Sequence, residues 1–496
     1  MREFRIKTIS DERKYQNTAV LIYIKACKDV LGDVDVRIGN SLNQGFFTYI
    51  VEKHNPDTGN NAISTSNYAL KISKKMKEII LSDKEIEVLQ MSAGEALEIW
   101  EKLGDKIRIK LFNQLDANHS VKLVNLDGYI DFFYGDVFPS TGYIKDFEIR
   151  KYRQGMLLRL PDILSPDKIP QYRDDDKLYD AYADSKKARK CTGVDFLPDL
   201  NEEIISGNEK NIIEESESQY SEELNSIAKA VLEENKQVVL ISGPSSSGKT
   251  TTAKRLCKEI ALLKHEPLYL GTDDYFLNRD KTPIGYDGKP DYEGLSALDV
   301  ELFNSHIKSL LNGETVDIPR FDFIEGVKVY GERLTKLEEG QILVIEGIHS
   351  LNDKLTMHID DSKKYKVYIS PLTQIGMDKH NRLSTTDARM LRRIVRDNRT
   401  RGSDARKTIA NWYKVRAGEN TNIFPYSSKA DVVINSSTVY ETNLLRHYAE
   451  PLLKNITKDM AEYDEAQRIL NLMSYFTVID SDEFVPQDSI LREFIG

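Results

Sequence analysis

The fold of this chain is decided by the stretch Gly243-Pro244-Ser245-Ser246-Ser247-Gly248-Lys249-Thr250, which fits the pattern G-x-x-x-x-G-K-[ST]. An apolar run at 238–241 precedes it, and residues 251–263 follow with apolar side chains at helical spacing. Strand, glycine-rich loop and helix in this order favour anion binding, because loop N–H groups and the helix dipole both attract negative charge. The sequence therefore predicts that this segment, the phosphate loop, cradles a nucleotide triphosphate.

The residue types in the phosphate loop suit this task. Gly243 and Gly248 permit close approach of the backbone to a ligand. Lys249 can reach the β- and γ-phosphates, and the Thr250 hydroxyl can bind Mg²⁺. A serine-rich turn before an ordinary helix is the alternative. The residues expected to contact the nucleotide are Gly243, Ser245, Ser246, Ser247, Gly248, Lys249, Thr250 and Thr251.

Length and composition limit the class of protein. A chain of 496 residues is expected to form about two or three domains, and 40% hydrophobic with 30% charged residues is typical of a soluble globular protein. The net charge of −10 argues against broad nucleic-acid binding. Three features indicate a cytoplasmic protein without membrane contact. The three cysteines are well separated (Cys27, Cys191 and Cys257), and the sequence shows neither a signal peptide nor an apolar run of membrane length.

From residue 237 onward, strand and helix patterns alternate, which is typical of a parallel α/β sheet. Apolar runs without alternation suit strands that are covered on both faces. Ligands of such sheets bind beyond the carboxyl ends of the strands, so the residues that follow each strand are the chemical candidates. The predicted strands are 238–241, 268–270, 342–345, 366–369 and 432–434.

Carboxylates follow two of these predicted strands. Asp273 and Asp274 come after the second strand, and Glu346 comes after the third. Beside a phosphate loop, one carboxylate can act as a base on an attacking hydroxyl, and another can hold Mg²⁺ or its waters. A helix cap or a turn is the alternative for each residue taken alone.

An arginine-rich helix is predicted after the fourth strand. Arg392, Arg396 and Arg399 share one side of it, at i, i+4 and i+7. Such a row suits a lid over a polyphosphate, because cations neutralise the charge of the transferred phosphoryl group. A basic solvated face is the alternative. The full set is Arg389, Arg392, Arg393, Arg396, Arg399 and Arg401.

Residues 237–440 resemble the uridine kinase and phosphoribulokinase family of P-loop kinases. The similarity rests on Asp273 in a D-x-[FY]-[FY]-type motif, on Ile318-Pro319-Arg320-Phe321-Asp322-Phe323 against I-P-x-Y-D-F, and on Val344-Ile345-Glu346-Gly347 against F-E-G. The resemblance implies an α/β P-loop fold with an arginine-rich lid and an ATP- and Mg²⁺-dependent kinase activity. Asp273 takes the position of the catalytic base in this family.

The same resemblance implies the roles of the site residues. Catalysis is expected to use Asp273 and Lys249, and Mg²⁺ is expected to bind Thr250 and Glu346. The residues that match the lid arginines of the family are Arg393, Arg396 and Arg401. The residues expected to bind the acceptor are Asp273, Phe276, Tyr292, Glu293, Phe321 and Phe323.

Three residues depart from the family pattern. Phe321 replaces the base-reading tyrosine, Gly326 replaces its histidine partner, and Ser403 replaces a further lid arginine. Discrimination between bases needs polar groups at the base edge. We therefore expect a loose base preference or a non-pyrimidine acceptor, and we expect Phe321→Tyr with Gly326→His to raise selectivity for uridine.

Residues 1–165 carry mixed helix and strand signals, which predict an α+β domain. Residues 131–142 resemble the editing-type second domain of threonyl-tRNA synthetases, as do residues 36–47. That family places metal-binding pairs at positions that are here Asn17, Leu21, Phe133 and Val137. Apolar side chains cannot hold zinc, so we expect the fold without the metal. Contact of this domain with tRNA or other RNA has no support in the sequence.

The expected domain boundaries follow from these patterns. The editing-like domain spans 1–165, a helical connector spans 166–232, the kinase domain spans 233–440, and a C-terminal helical extension spans 441–496. Residues 211–235 predict an amphipathic connector helix. Its apolar stripe is Ile213, Tyr220, Leu224, Ile227, Ala228 and Val231.

Two classes of function fit these features. The first is a kinase that transfers the γ-phosphoryl group of ATP to a small-molecule hydroxyl, with a nucleoside as the favoured acceptor and a non-nucleoside alcohol or sugar as the alternative. The second is an RNA-associated regulatory protein that uses its nucleotide as a switch. Asp273 with Phe321 and Phe323 favours the kinase, because a switch needs neither a base nor an aromatic pair. The sequence leaves the donor preference and the oligomeric state open.

Overall fold

The computed structural model describes residues 2, 4–52, 66–190, 193–263, 265–285 and 288–496. Cys191 lies outside these residues. No helix within the described ranges is both long and apolar enough to cross a membrane. The amino-terminal elements are α1 (Ile9–Leu31), β1 (Val34–Leu42), β2 (Gly45–Glu52), α2 (Ser66–Leu81), β3 (Glu87–Ser92), α3 (Ala93–Leu103), α4 (Lys106–Asn113), β4 (Ser120–Leu126), β5 (Tyr129–Phe132), β6 (Glu148–Tyr152) and β7 (Gly155–Arg159).

The amino-terminal part contains two antiparallel sheets. One has the strand order β1-β2-β7-β6, and the other has the order β3-β4-β5. Helix α1 begins at a capping box formed by Thr8 and Asp11, and its apolar residues share one core with α2 and both sheets. The mixed helix and strand content predicted for this part is confirmed.

The four positions compared with zinc ligands lie in or beside this amino-terminal core. Leu21 is fully buried and Phe133 is nearly so. Val137 packs against the same core from its edge. Asn17 donates from Nδ2 to the carbonyl of Asp136 at 3.0 Å.

Three helices connect this part to the parallel sheet: α5 (Asp176–Lys190), α6 (Leu197–Ile205) and α7 (Glu209–Glu233). Helix α7 corresponds to the predicted amphipathic connector helix. All six residues of its predicted apolar stripe are buried, so the stripe is confirmed. They pack into the main core of the molecule together with residues of the helix that follows the phosphate loop.

The remaining elements build the parallel sheet and its surroundings. They are β8 (Val238–Ser242), α8 (Lys249–Leu262), β9 (Pro267–Gly271), α9 (Val300–Leu311), β10 (Val316–Asp317), β11 (Arg320–Asp322), β12 (Val327–Val329), β13 (Leu334–Thr335), β14 (Ile342–Glu346), β15 (Lys364–Ser370), α10 (Thr385–Thr400), α11 (Ala405–Asn422), α12 (Phe424–Ser427), β16 (Val432–Asn435), α13 (Glu441–Lys454), α14 (Tyr463–Met473) and α15 (Arg492–Ile495).

The five predicted strands form one parallel sheet with the order β16-β15-β8-β14-β9. Every residue of β8 and β14 is buried, as expected for strands covered on both faces. The carboxyl ends of β8, β14 and β9 are adjacent, because Glu346 pairs with Ile241 on one side and with Gly271 on the other. This register places the phosphate loop, Glu346 and Asp273 together at the carboxyl ends of the strands.

The C-terminal helices pack onto the core of the parallel sheet. Helices α13 and α15 both contact α10, the arginine-rich helix. Apolar residues of the tail, among them Ile479, Ile490 and Phe494, belong to the same buried cluster as β8 and β15. The extension predicted at 441–496 is therefore not a separate unit, because its apolar residues belong to the same core as the parallel sheet.

The amino-terminal part docks on the loop between β15 and α10. Arg108 of α4 pairs with Asp131 of β5 and with Asp378 of that loop, the latter at 3.1 Å, and all three side chains are buried. Arg13 of α1 pairs with Asp387, at the start of α10, at 3.3 Å. The arginine-rich helix is thus anchored at its first turn by the amino-terminal part.

Candidate active site

The phosphate loop joins β8 to α8 in a conformation that depends on glycine. Gly248 is the residue before α8 and has φ +85°, in the left-handed region. A Cβ added at Gly243 would lie 2.4 Å from the carbonyl oxygen of Ile369 on β15. Glycine at position 243 therefore lets the loop backbone approach β15 more closely than a residue with a side chain would allow.

The loop contains polar atoms that the described protein does not pair. The hydroxyls of Ser246 and Ser247 are buried and have no hydrogen-bond partner among the described residues. Lys249 Nζ donates to the carbonyl of Pro244 at 3.1 Å, so the ammonium group folds back over the loop. Because buried polar groups normally have partners, the loop fits an anionic ligand such as the phosphates of a nucleotide.

Thr250 and Glu346 meet beside the loop. Thr250 Oγ1 donates to Glu346 Oε1 at 2.9 Å, and the hydroxyl of Tyr269 donates to the same oxygen at 3.0 Å. Burial raises the pKa of Glu346, and the nearby charge of Asp273 raises it further. A hydroxyl and a carboxylate are the hard oxygen donors that Mg²⁺ prefers, with water completing its shell. The residues present thus fit a magnesium ion.

The two adjacent aspartates after β9 have different partners. Asp274 accepts the amide of Phe321 at 3.2 Å and pairs with Arg333 at 2.9 Å. Its carboxylate therefore supports β11, the strand that carries Phe321. These bonds occupy Asp274, whereas the exposed carboxylate of Asp273 faces the space beside Lys249 and Arg401, here called the cleft.

Asp273 lies in an open cleft near three cations. Its side chain is accessible to solvent but surrounded by protein on most sides. Burial in the cleft raises the pKa of Asp273, whereas the charges of Lys249, Arg401 and Arg396 oppose this change. A carboxylate that is held near phosphate-binding cations and is more basic than usual can accept a proton from an attacking hydroxyl.

Three of the predicted lid arginines gather around Asp397 on α10. Arg393 and Arg396 donate to Asp397 at 3.1 and 2.9 Å, and Arg401 lies 3.8 Å from it. Arg393 also donates to Ser245 Oγ at 3.0 Å, which joins α10 to the phosphate loop. The structure therefore brings these three arginines to the loop side of the cleft.

Arg392 and Arg399 do not belong to such a lid. Arg392 is fully buried and pairs with Glu441, and it donates to two carbonyls, that of Ser436 at 2.7 Å and that of Ser246 in the phosphate loop at 3.4 Å. It is therefore a buried support of the loop. Arg399 donates to the carbonyl of Phe494 at 3.1 Å. The row predicted at i, i+4 and i+7 is thus wrong for two of its three members, because protein covers that side of α10.

Glu419, a fully buried carboxylate on α11, is not among the site residues predicted from the sequence. Its Oε1 accepts the amide of Ser245 at 3.0 Å, and Arg389 of α10 bonds both carboxylate oxygens, with Nη2 2.8 Å from Oε2. This contact, the Arg389–Glu419 latch, fixes α10 and α11 to the phosphate loop. No local pattern marks Glu419, because only the fold brings it to the loop.

We expect Arg389→Ala to lower the free energy of unfolding by about 3–5 kcal/mol, because it leaves the buried Glu419 charge unpaired. Denaturant unfolding followed by tryptophan fluorescence measures this change, since Arg389 lies 5.5 Å from the ring of Trp412. Arg406→Ala, at an exposed position of α11, is the matched control and should change stability by no more than about 0.5 kcal/mol. Equal stability of the two variants would contradict a structural latch.

Phe276, Phe321 and Phe323 form one aromatic cluster in the cleft. The ring centres of Phe321 and Phe323 are 5.2 Å apart, and those of Phe276 and Phe321 are 5.8 Å apart. Phe323 is 54% exposed, and the guanidinium of Arg401 lies 6.0 Å from its ring centre. An exposed aromatic wall next to a cation fits a flat or apolar portion of a small molecule.

The two other predicted acceptor residues point in different directions. Within the described residues, Tyr292 makes no ring contact with the aromatic cluster, and the side chain of Tyr292 is 44% exposed. Glu293 packs against Gly418 of α11, where an added Cβ would lie 2.5 Å from Glu293 Cβ. Burial raises the pKa of Glu293 to about 7, and the charges of Arg393 and Lys249 oppose this change. The structure therefore brings Glu293 towards the phosphate loop and leaves Tyr292 at the surface.

Gly326 lies in the turn between β11 and β12 with φ +74°. A Cβ there would lie 2.7 Å from Arg279 Nε, and Arg279 itself donates to the carbonyl of Phe323 at 2.6 Å. Gly326→His would strain the backbone and displace Arg279. The double substitution expected to raise uridine selectivity is therefore unsuitable as a test.

Comparisons with known proteins agree with this geometry. Residues 238–443 match the Phosphoribulokinase / Uridine kinase family. A uridine kinase from Macrococcus caseolyticus is 28% identical over 198 residues, which is 40% of this chain and 86% of that protein. A uridine kinase from Ligilactobacillus salivarius is 28% identical over 203 residues, with the same shares of both chains.

Two solved structures are also similar to part of the chain. A possible uridine kinase from Bacillus stearothermophilus is 18% identical with a TM-score of 0.30, and the match covers 43% of this chain and 97% of that chain. A putative fructose transport system kinase from Silicibacter sp. TM1040 is 18% identical with a TM-score of 0.31, covering 42% of this chain and 98% of that chain.

Proposed function

We propose that this protein, whose residues 238–443 are a P-loop kinase domain of the uridine kinase and phosphoribulokinase family, phosphorylates nucleosides with ATP. The protein is a phosphotransferase with an alcohol group as acceptor. The observation that carries the proposal is the placement of Asp273. Asp274 is held by Arg333 and the amide of Phe321, whereas Asp273 faces the cations of the cleft. Asp273 is therefore the proposed base for the attacking hydroxyl.

The other proposed roles follow from the contacts of the phosphate loop. Lys249 and the loop amides bind the β- and γ-phosphates, and Ser245, Ser246, Ser247 and Thr251 line the same cradle. Arg393, Arg396 and Arg401 neutralise the charge of the transferred group. A magnesium ion held by Thr250 and Glu346 would neutralise phosphate charge further.

The aromatic cluster supports a nucleoside as the acceptor. A flat base can stack on Phe321 or Phe323, because every base has a π-face. Glu293, which lies nearer the phosphate loop, is the proposed contact for ribose hydroxyls. Selection among bases needs polar groups opposite the base edge, and neither Phe321 nor Gly326 supplies one. We therefore propose a loose preference among bases.

We expect the values of kcat/KM for uridine, cytidine, adenosine and guanosine to lie within about tenfold of one another, since stacking tolerates any base. Steady-state kinetics with each nucleoside at saturating ATP measures this spread. Phe321→Tyr restores a hydroxyl without altering the backbone, and it should widen the spread. A wild-type enzyme that is sharply selective for uridine or cytidine would contradict the assignment of the base site.

A kinase of a non-nucleoside alcohol or sugar is the second candidate. The lack of a base-reading group at Phe321 and Gly326 favours it, because an acceptor without a base needs no such group. Sugars and pantothenate-like alcohols in the same ATP-consumption assay distinguish the two candidates. Turnover with these acceptors and none with any nucleoside would replace the first candidate by the second.

A further inference from the structure

The carboxy-terminal residues 489–496, here called the C-terminal brace, lie against the phosphate loop although the family match ends at residue 443. A Cβ added at Gly248 would lie 2.6 Å from Ile490 Cγ2. Thr251, in the first turn of α8, donates from Oγ1 to Glu493 Oε2 at 2.9 Å. The brace therefore contacts the residues on either side of Lys249 and Thr250.

Hydrogen bonds from three helices hold the C-terminal brace in place. Ser489 Oγ donates to the buried Glu217 of α7, which also accepts the hydroxyl of Tyr440 at 2.9 Å and pairs with Arg255 of α8 at 2.8 Å. Arg399 of α10 donates to two carbonyls of the brace at 3.1 and 3.2 Å. The brace thus links α7, α8 and α10 around the phosphate loop.

Burial makes the C-terminal brace a fixed part of the protein. Ile490, Leu491 and Phe494 are at most 1% exposed and belong to the core cluster of the parallel sheet. The guanidinium of Arg392 lies 5.2 Å from the ring centre of Phe494. Release of the brace would expose three large apolar side chains to water, which is strongly unfavourable. The brace is therefore a wall of the site and not a flap that opens.

We propose that the C-terminal brace is part of the donor-phosphate site, with Ile490 and Glu493 as positioning residues for the phosphate loop. Ile490 holds Gly248 in its left-handed conformation, and Glu493 fixes the hydroxyl of Thr251. The inference rests on the proposed function, since ATP is the ligand whose binding it concerns.

The two positioning residues have opposite effects on ATP affinity. Contact with Ile490 keeps the loop in its binding conformation, so the ligand has less ordering to impose. Glu493 instead places a negative charge at the first turn of α8, where the phosphates of the donor bind. Loss of Ile490 should therefore weaken ATP binding, and loss of the Glu493 charge should strengthen it.

Titration of the full-length protein with a fluorescent ATP analogue and Mg²⁺, without any acceptor, tests the role of Ile490. Ile490→Ala should raise the dissociation constant about tenfold, because the loop loses its support. Ile479→Ala is the matched control: Ile479 is also buried in the tail, but its amide bonds Asn443, away from the loop. Ile490→Leu, which removes the Cγ2 branch nearest Gly248 but keeps the apolar volume, gives the same direction of change if Ile490→Ala does not fold.

The same titration tests Glu493. Glu493→Gln keeps an acceptor for the Thr251 hydroxyl but removes the charge, so the dissociation constant should fall about threefold at low salt. Glu483→Gln, at an exposed position of the same tail, should leave it unchanged.

Dissociation constants that match their controls for both positions would overturn the proposal. A wild-type protein that does not bind the ATP analogue would overturn both this inference and the proposed function. Binding of the analogue with the expected changes, but no phosphorylation of any acceptor, would support the brace and contradict the proposed function.

Discussion

Asp273→Asn is expected to lower kcat by about 10²–10⁴-fold, because the amide keeps the shape of the side chain but cannot accept a proton. ATP affinity should change little, since Lys249 and the loop amides, which bind the phosphates in the proposed mechanism, remain. Steady-state kinetics gives kcat, and titration with a fluorescent ATP analogue gives the dissociation constant.

Asp274→Asn is the matched control for this substitution. Asp274 pairs with Arg333 and accepts the amide of Phe321, so its loss should affect stability and acceptor KM more than kcat. An inactive Asp274→Asn protein beside an active Asp273→Asn protein would contradict the assignment of the base.

Lys249→Ala is expected to abolish ATP turnover while the fold stays intact. The ammonium group is a point charge for the phosphates, and its hydrogen bond within the protein is made to a loop carbonyl, Pro244. The loss of ATP binding is measured by the same titration, and circular dichroism checks the fold.

Lys254→Ala provides the control for Lys249→Ala, because Lys254 is an exposed residue of the same helix and lies outside the phosphate loop. It should retain the turnover of the wild-type protein. Normal turnover in Lys249→Ala would contradict the role of the phosphate loop.

The parallel sheet could be predicted from the sequence because its strands are apolar on both faces. All five strands occur where the apolar runs place them, and β8 and β14 are buried throughout. The phosphate loop then locates the binding edge, since ligands of such sheets bind at the carboxyl ends. The contact between Thr250 and Glu346 has the same origin, because Thr250 ends the phosphate loop after β8 and Glu346 ends the neighbouring strand β14.

The amino-terminal sheets were less predictable for a physical reason. Strand β6 (Glu148–Tyr152) is half exposed and rich in charges, so it lacks a clear alternation of apolar and polar residues. Helix α2, by contrast, has buried residues at helical spacing between Ala69 and Ile80. This apolar spacing is present in the sequence, but α2 is not among the elements predicted from it.

Contacts between distant segments could not be predicted from local patterns. Glu419 reaches the phosphate loop from α11, and Ile490 reaches it from the C-terminal brace. The division of the arginines has the same origin: Arg392 is fully buried against Glu441, whereas Arg393 is partly exposed and bonds the side chain of Ser245. Helical spacing shows on which side of a helix a residue lies, but it does not show which other segment of the chain covers that side.

The central claim is that the protein transfers a phosphoryl group to a small-molecule hydroxyl. Incubation with ATP, Mg²⁺ and single nucleosides, followed by mass spectrometry of the products and quantification of ADP, tests it most directly. We predict that ADP forms only when an acceptor is present and that each ADP is matched by one phosphorylated nucleoside. ADP that forms at the same rate without any acceptor, or no ADP with any nucleoside, sugar or alcohol, would contradict the claim.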